Sequence, residues 1–162
     1  MNNLLQNKQD LDYTFQSIND IANLILADYT LDLNEYIDSI YQKWIINKEV
    51  PSDSELDDII SMIPLYLYRA VSVKESLATK EDLAKVIKDK AYNEALLKGT
   101  GTVAERQANA DNSITSDKLA YLAYNTAYKI IQSKFDMALE LLNSAKKVQN
   151  SRISERELSR RI

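Results

Sequence analysis

The chain has 162 residues, a formal net charge of −4, no cysteine, no histidine, two glycines and two prolines. Without cysteine or histidine, the chain has no disulfides, zinc–thiolate sites, thiol nucleophiles or imidazole bases. Two glycines are too few for the turns of a many-stranded sheet. The composition therefore predicts an all-α helical bundle.

Hydropathy and the N-terminus indicate where the protein resides. No apolar stretch approaches the ~18 residues that span a bilayer. The first ten residues lack both the basic segment and the apolar core of a secretory signal. We expect a cytoplasmic protein that does not enter a membrane.

Charge changes sign along the chain. Residues 1–63 hold twelve acidic and three basic side chains, a net of −9, whereas residues 64–162 hold twelve acidic and seventeen basic, a net of +5. Pro64 lies at the same point, and a proline inside a helical pattern predicts a kink or a break. We therefore predict an acidic N-terminal helical module, 1–63, and a second helical module, 64–162.

Apolar residues at steps of three and four predict two helices in the first module. The first covers about 11–27, is capped by Asp10 or Asp12, and has a stripe of Leu11, Phe15, Ile18, Ala22 and Ile25. The second covers about 33–47 and follows Asp32. Ser52 and Glu55 then form a capping box that predicts the start of a third helix.

The second module is predicted to begin with helices over 65–77 and 80–97, separated by Thr79 as a cap, or with one bent helix. Both glycines follow, and Thr102 and Glu105 form a second capping box before a short helix over 103–109. This loop has two interpretations. It is either a plain connection or a modest anion site formed by its amides with Lys98 and Arg106.

A polar linker at 111–113 is predicted to precede the longest helix, which begins near residue 116 and covers some 34 residues, about 50 Å. Its apolar stripe contains Leu119, Leu122, Ala123, Thr126, Ala127, Ile130, Ile131, Lys134, Met137, Ala138, Leu141, Leu142, Ala145 and Val148. One short neighbour cannot cover such a stripe, so we expect it to pack on helix 80–97 and on another subunit. The expected assembly is a homo-oligomer with coiled-coil character.

The C-terminal end is basic. Residues 141–162 carry six basic and two acidic side chains. On a helix, Arg152, Arg156 and Arg160 form one ridge, which suits the neutralisation of phosphates. In the alternative, Glu155 and Glu157 pair with these arginines in a surface network without binding consequence.

No catalytic constellation is recognised. The acidic residues Asp53, Glu55, Asp57 and Asp58 cluster at a helix N-terminus, where the helix dipole favours them, and no glycine turn makes them a calcium loop. We expect a protein that is not an enzyme and uses no metal or cofactor.

Several segments of residues 65–160 carry a resemblance to a known family. They are LYLYR at 65–69 opening a lysine-rich helix, TVAER at 102–106, the entry into the long helix at 109–111, and ALELLNS at 138–144 before the basic tail. In this layout the chain resembles the UvsY-type recombination mediators of T-even phages. Residues 1–63 have no counterpart in the resemblance.

The resemblance implies a viral, non-catalytic DNA recombination or replication protein, acting in the host cytoplasm. It implies a helical oligomer that binds single-stranded DNA without sequence preference and helps to load a recombinase onto strands coated by single-strand-binding protein. By position, it assigns DNA contact to Lys85, Lys88, Lys90, Lys146, Lys147, Arg152, Arg156 and Arg160.

The acidic first module departs from that family, and it could screen the basic surface, mimic DNA or dock a partner. The competing hypothesis is a phage or mobile-element adaptor or inhibitor, for anti-defence or assembly, that binds proteins through helices 10–63 without DNA. A third hypothesis is a purely structural coiled coil. Base stacking and core packing are the alternatives for Tyr121, Tyr124 and Tyr128.

Overall fold

The computed structural model describes the backbone of residues 2–160 and the side chains in that range other than those of residues 2–12, 15, 28 and 29. In chain order it contains helix α1 (Asn2–Tyr41), a π-helical turn (Gln42–Ile46), α2 (Asp53–Lys98), α3 (Val103–Ser113) and α4 (Thr115–Ser159). Residues 2–160 include no β-strand. The predicted all-α bundle with a long C-terminal helix is confirmed.

Within the described range, no helix combines the length and the apolar character that crossing a bilayer requires.

Helix α1 is continuous, so the predicted division into helices over 11–27 and 33–47 is wrong. The first 50 residues contain neither glycine nor proline, and a buried stripe continues at steps of four, four and three through Ala22, Leu26, Thr30 and Leu33. Burial of that stripe favours one helix over two. Asp32, the predicted cap, instead lies inside α1. The structure does not describe the side chains of Leu11, Phe15, Asp10 and Asp12. Their predicted contributions to the apolar stripe and the cap therefore lie outside the described residues.

The chain leaves α1 through the π-helical turn and enters α2 at the first predicted capping box. The Ser52 N–H donates to Glu55 Oε2 at 2.8 Å, and the Glu55 N–H donates to Ser52 Oγ at 3.2 Å. These two bonds satisfy amides that the first helical turn leaves unpaired. The capping box is confirmed, and it determines where α2 begins.

Helix α2 runs for 46 residues through Pro64, so a helix break at this proline is wrong, as is the separation at Thr79. The Thr79 hydroxyl donates to the Glu75 carbonyl at 3.0 Å, inside the helix. The Pro64 side chain is exposed, whereas the residues around it continue one buried stripe: Leu56, Ile59, Ile63, Leu67, Ala70 and Leu77. Burial on both sides of the proline outweighs the single hydrogen bond that it removes.

The glycine loop ends α2. The backbone φ of Gly101 is +102°, and a Cβ atom there would lie 2.6 Å from Glu105 Oε2, so this position requires glycine. Thr102 and Glu105 form the second predicted capping box, which is confirmed. Helix α3 extends to Ser113, and the predicted polar linker at 111–113 is therefore helical.

Two compact units are formed. The first comprises Lys74–Ile130 with the part of α1 up to Ala27, and the second comprises Asp28–Val73 with the chain from Ile131 onwards. Helices α1, α2 and α4 each contribute to both units. The units therefore do not follow the division at residues 63 and 64 that the charge change predicts.

Helix α4 buries a narrower stripe than the sequence predicts. Its buried residues are Ala123, Ala127, Ile131, Phe135, Ala138, Leu142 and Ala145. Phe135 is missing from the predicted stripe, and Met137, which was included, is 64% exposed. Asn125 Nδ2 donates to Glu81 Oε1 at 2.8 Å, so the predicted packing of this helix on 80–97 is confirmed.

Candidate nucleic-acid interface

The last turns of α4 belong to the second unit and carry five of the predicted DNA contacts. Arg152, Arg156 and Arg160 occur at intervals of four residues, which places them on one side of the helix. Lys147 and Lys146 lie five and six residues before Arg152, about one and a half turns earlier and on other sides of the helix, and both are exposed. These five side chains lie near the C-terminal end of one helix, and we call them the α4 basic end.

Two arginines of the α4 basic end share one carboxylate. Arg152 Nη1 donates to Asp53 Oδ1 at 3.0 Å, and Arg156 Nη2 donates to Asp53 Oδ2. The side chain of Arg152 is 25% exposed, whereas that of Arg156 is 60% exposed. The hydrogen bonds from Arg156 and then Arg152 lower the pKa of Asp53. Asp53 is therefore a carboxylate at neutral pH, with one oxygen directed to each guanidinium.

The first capping box explains the position of this carboxylate. Asp53 is the first residue of α2, next to Ser52, and the capping bonds define where that helix begins. One turn later, Asp57 accepts a hydrogen bond from Gln149 Nε2. The start of α2 thus places two carboxylates against the end of α4 within the second unit.

This arrangement differs from the surface network considered above, in which Glu155 and Glu157 neutralise the arginines. Among the described residues, Arg152 and Arg156 form their ion pairs with Asp53. Glu155 accepts a hydrogen bond from the Ser151 hydroxyl at 3.5 Å. The sequence analysis explained the position of Asp53 only by its favourable interaction with the helix dipole. The opposite charges of the acidic N-terminal module and the basic C-terminal end were the signal that residues of the two could form ion pairs.

An open groove continues along the α4 basic end. It has a volume of about 450 Å³ and is lined by Arg152, Glu155, Arg156, Ser159 and Arg160. Three arginines against one glutamate give this lining a formal net charge of +2. The charge of this lining therefore favours an anionic ligand.

The three predicted lysine contacts on α2 lie in the first unit. Lys88 Nζ is 4.5 Å from the ring centroid of Tyr121 and 3.2 Å from Asp89 Oδ1, so it already serves in packing on α4. Lys90 Nζ is 3.9 Å from Glu94 Oε1, and Lys85 is exposed. The structure therefore places the five residues of the α4 basic end in the second unit, where Arg152, Arg156 and Arg160 share one side of the helix, and these three lysines in the first.

The tyrosines of α4 also lie in the first unit. Tyr121, Tyr124 and Tyr128 are each half-buried. Tyr121 and Lys88 line an open groove of about 310 Å³ together with Asp89, Tyr92, Ile114, Lys118 and Leu122. The ring of Tyr121 contacts a lysine of α2, as expected of packing between helices.

Two amides of the glycine loop are occupied. The Thr102 N–H donates to Glu105 Oε2 at 2.8 Å, and the Gly99 N–H donates to the Ala95 carbonyl at 3.0 Å. These donors serve the ends of α2 and α3, as expected of a plain connection between helices. The alternative, an anion site with Lys98 and Arg106, stays a prediction, and among the described residues the buried Nε of Arg106 has no hydrogen-bond partner.

Within the described range, no cluster of three or more acidic residues has a geometry that could hold a metal ion. Comparisons with models of protein families, with curated proteins and with solved structures find no match to this chain.

Proposed function

We propose that this protein is a non-catalytic accessory factor of phage-type DNA recombination or replication that binds single-stranded DNA through the α4 basic end. The observation that carries the proposal is the groove beside Arg152, Arg156 and Arg160. The resemblance to UvsY-type mediators supplies the biological setting. Recombinase and single-strand-binding protein are the protein partners that this setting implies.

The proposed binding acts through phosphates. The three arginines extend along about 12 Å of helix, because each residue adds ~1.5 Å. Guanidinium groups bind phosphate oxygens in pairs and carry no sequence preference when they contact only the backbone. Each phosphate neutralised on a single strand contributes about −0.7 to the slope of log affinity against log salt concentration. Binding should therefore be non-specific and strongly weakened by salt.

A protein-binding adaptor or inhibitor is the second candidate function. It is favoured by exposed apolar side chains at the end of α1 and in the π-helical turn, namely Tyr41, Ile45 and Ile46. These residues lie in the acidic part of the sequence. Asp53 offsets one of the two positive charges of Arg152 and Arg156, which also lowers the positive charge available to DNA.

The two functions are distinguished by titrating a fluorescently labelled oligo(dT) strand with the protein and recording anisotropy. At about 50 mM salt we expect binding that weakens by an order of magnitude or more at about 200 mM. The variant Lys147→Ala/Arg160→Ala leaves the Asp53 pairs intact and should weaken binding about tenfold. The matched control is Lys98→Ala/Lys129→Ala, which removes the same charge elsewhere and should have little effect.

The possible outcomes distinguish DNA binding through the α4 basic end from the adaptor function and from attraction by net charge. Absence of binding at the lower salt concentration would contradict the DNA function and favour the adaptor. Equal loss in both double variants would show that net charge, and not the α4 basic end, attracts the strand.

A further inference from the structure

The Asp53 carboxylate is shared by two arginines, whereas a simple surface ion pair joins one carboxylate to one cation. Each carboxylate oxygen accepts from a different guanidinium, one from Arg152 and one from Arg156. Two oxygens of a phosphodiester present the same pair of acceptors to the same donors. Asp53 thus occupies these arginines as a phosphate group would.

We propose that Arg152 and Arg156 form a binding site for one phosphodiester group of a single strand, and that the Asp53 carboxylate occupies this site until the strand displaces it. The proposal rests on the DNA-binding function proposed above and adds its regulation. The acidic start of α2 would then lower the affinity of the α4 basic end for DNA and raise its selectivity for ligands with several phosphates.

The location of the pair allows such an exchange. The Asp53 side chain is 40% exposed, so a ligand can approach it from solvent. Arg156 and Arg152 line the groove that continues to Ser159 and Arg160, where further phosphates of the same strand would lie. Ion pairs near the surface are modest in strength, so a strand that brings several phosphates can displace this carboxylate.

A neighbouring carboxylate provides the matched control. Asp57 lies one turn after Asp53 on α2 and contacts the same end of α4, but its partner is the neutral amide of Gln149. Removing the charge of Asp57 changes the net charge by the same amount without releasing an arginine. Any difference between the two positions therefore reports the occupied arginine site.

The experiment compares the whole protein with Asp53→Asn and Asp57→Asn in the oligo(dT) anisotropy titration. Asp53→Asn should increase affinity about tenfold at 50 mM salt and steepen the salt slope by about 0.7, the value for one further phosphate on a single strand. Asp57→Asn should change affinity less than threefold and leave the slope unchanged. Adding Arg152→Ala/Arg156→Ala to Asp53→Asn should abolish the gain.

Each result decides between the proposals. Equal gains for Asp53→Asn and Asp57→Asn, or no gain for either, would overturn the occupied site while leaving the DNA function intact. Failure of all variants and of the unchanged protein to bind the strand would reject both proposals together. Far-UV circular dichroism of each variant verifies that the helices are retained.

Discussion

At the scale of single residues, acidic side chains at helix starts have more than one role. Glu55 and Glu105 accept backbone N–H groups in their capping boxes, and Asp53 accepts from two arginines. The capping boxes follow from a serine or threonine three residues before a glutamate, so they could be predicted. The Asp53 contact joins Arg156 across 103 positions of sequence, and no local pattern predicts it.

These three carboxylates predict a pH dependence of stability. The backbone N–H of Ser52 lowers the pKa of Glu55, that of Thr102 lowers the pKa of Glu105, and the Arg156 hydrogen bond lowers the pKa of Asp53. Because the folded pKa lies below the unfolded value of about 4, folding favours the ionised form. The stabilisation is complete above that unfolded value and is lost as the pH falls through the folded pKa values.

Thermal unfolding followed by circular dichroism should therefore give a constant midpoint near neutral pH and a falling midpoint below about pH 4. In Glu105→Gln the decrease should be smaller, since one of the three groups no longer titrates. A midpoint that is unchanged between neutral pH and about pH 3 would contradict this explanation.

At the scale of the helices, burial decides which apolar residues matter. The sequence pattern of α4 contains both Ile131 and Met137, but the structure buries Ile131 completely and leaves Met137 exposed. An α-helix has 3.6 residues per turn, so an apolar pattern that alternates three and four includes positions beside the buried stripe. Only packing identifies the central positions.

This difference in burial predicts that substitutions at Ile131 and Met137 have unequal effects on stability. Ile131→Ala should lower the free energy of unfolding by about 2–5 kcal/mol, because it removes buried methyl groups and leaves a cavity. Met137→Ala should change it by less than about 0.5 kcal/mol, as expected for an exposed position. Urea denaturation measures both values, and equal effects would show that the buried stripe of α4 is placed differently.

At the scale of the whole molecule, apolar surface remains uncovered. Leu83, Val86 and Ile87 of α2 occur at the spacing of a packed helix stripe, yet they are exposed. A second copy that covers this stripe would explain the pattern. It would form the homo-oligomer expected from the sequence, with the contact on α2 and not on the long C-terminal helix.

Size-exclusion chromatography with light scattering should accordingly give a mass that is a multiple of the 18.5 kDa chain. Val86→Glu places a charge in the exposed stripe and should shift the protein towards the single-chain mass. Tyr68→Glu, at another exposed apolar position of α2 in the second unit, should leave the mass unchanged. A single-chain mass for the unchanged protein would reject self-association through this stripe.

Sequence patterns alone are enough to predict the helical class, both capping boxes and the end of α2 at the glycine loop. These features depend on residues within one or two turns of each other, where backbone conformation and local hydrogen bonds dominate. Tertiary structure alone decided that α1 and α2 are continuous and which side of α4 is buried. It also decided that Asp53 meets Arg152 and Arg156, because such contacts depend on how distant helices pack.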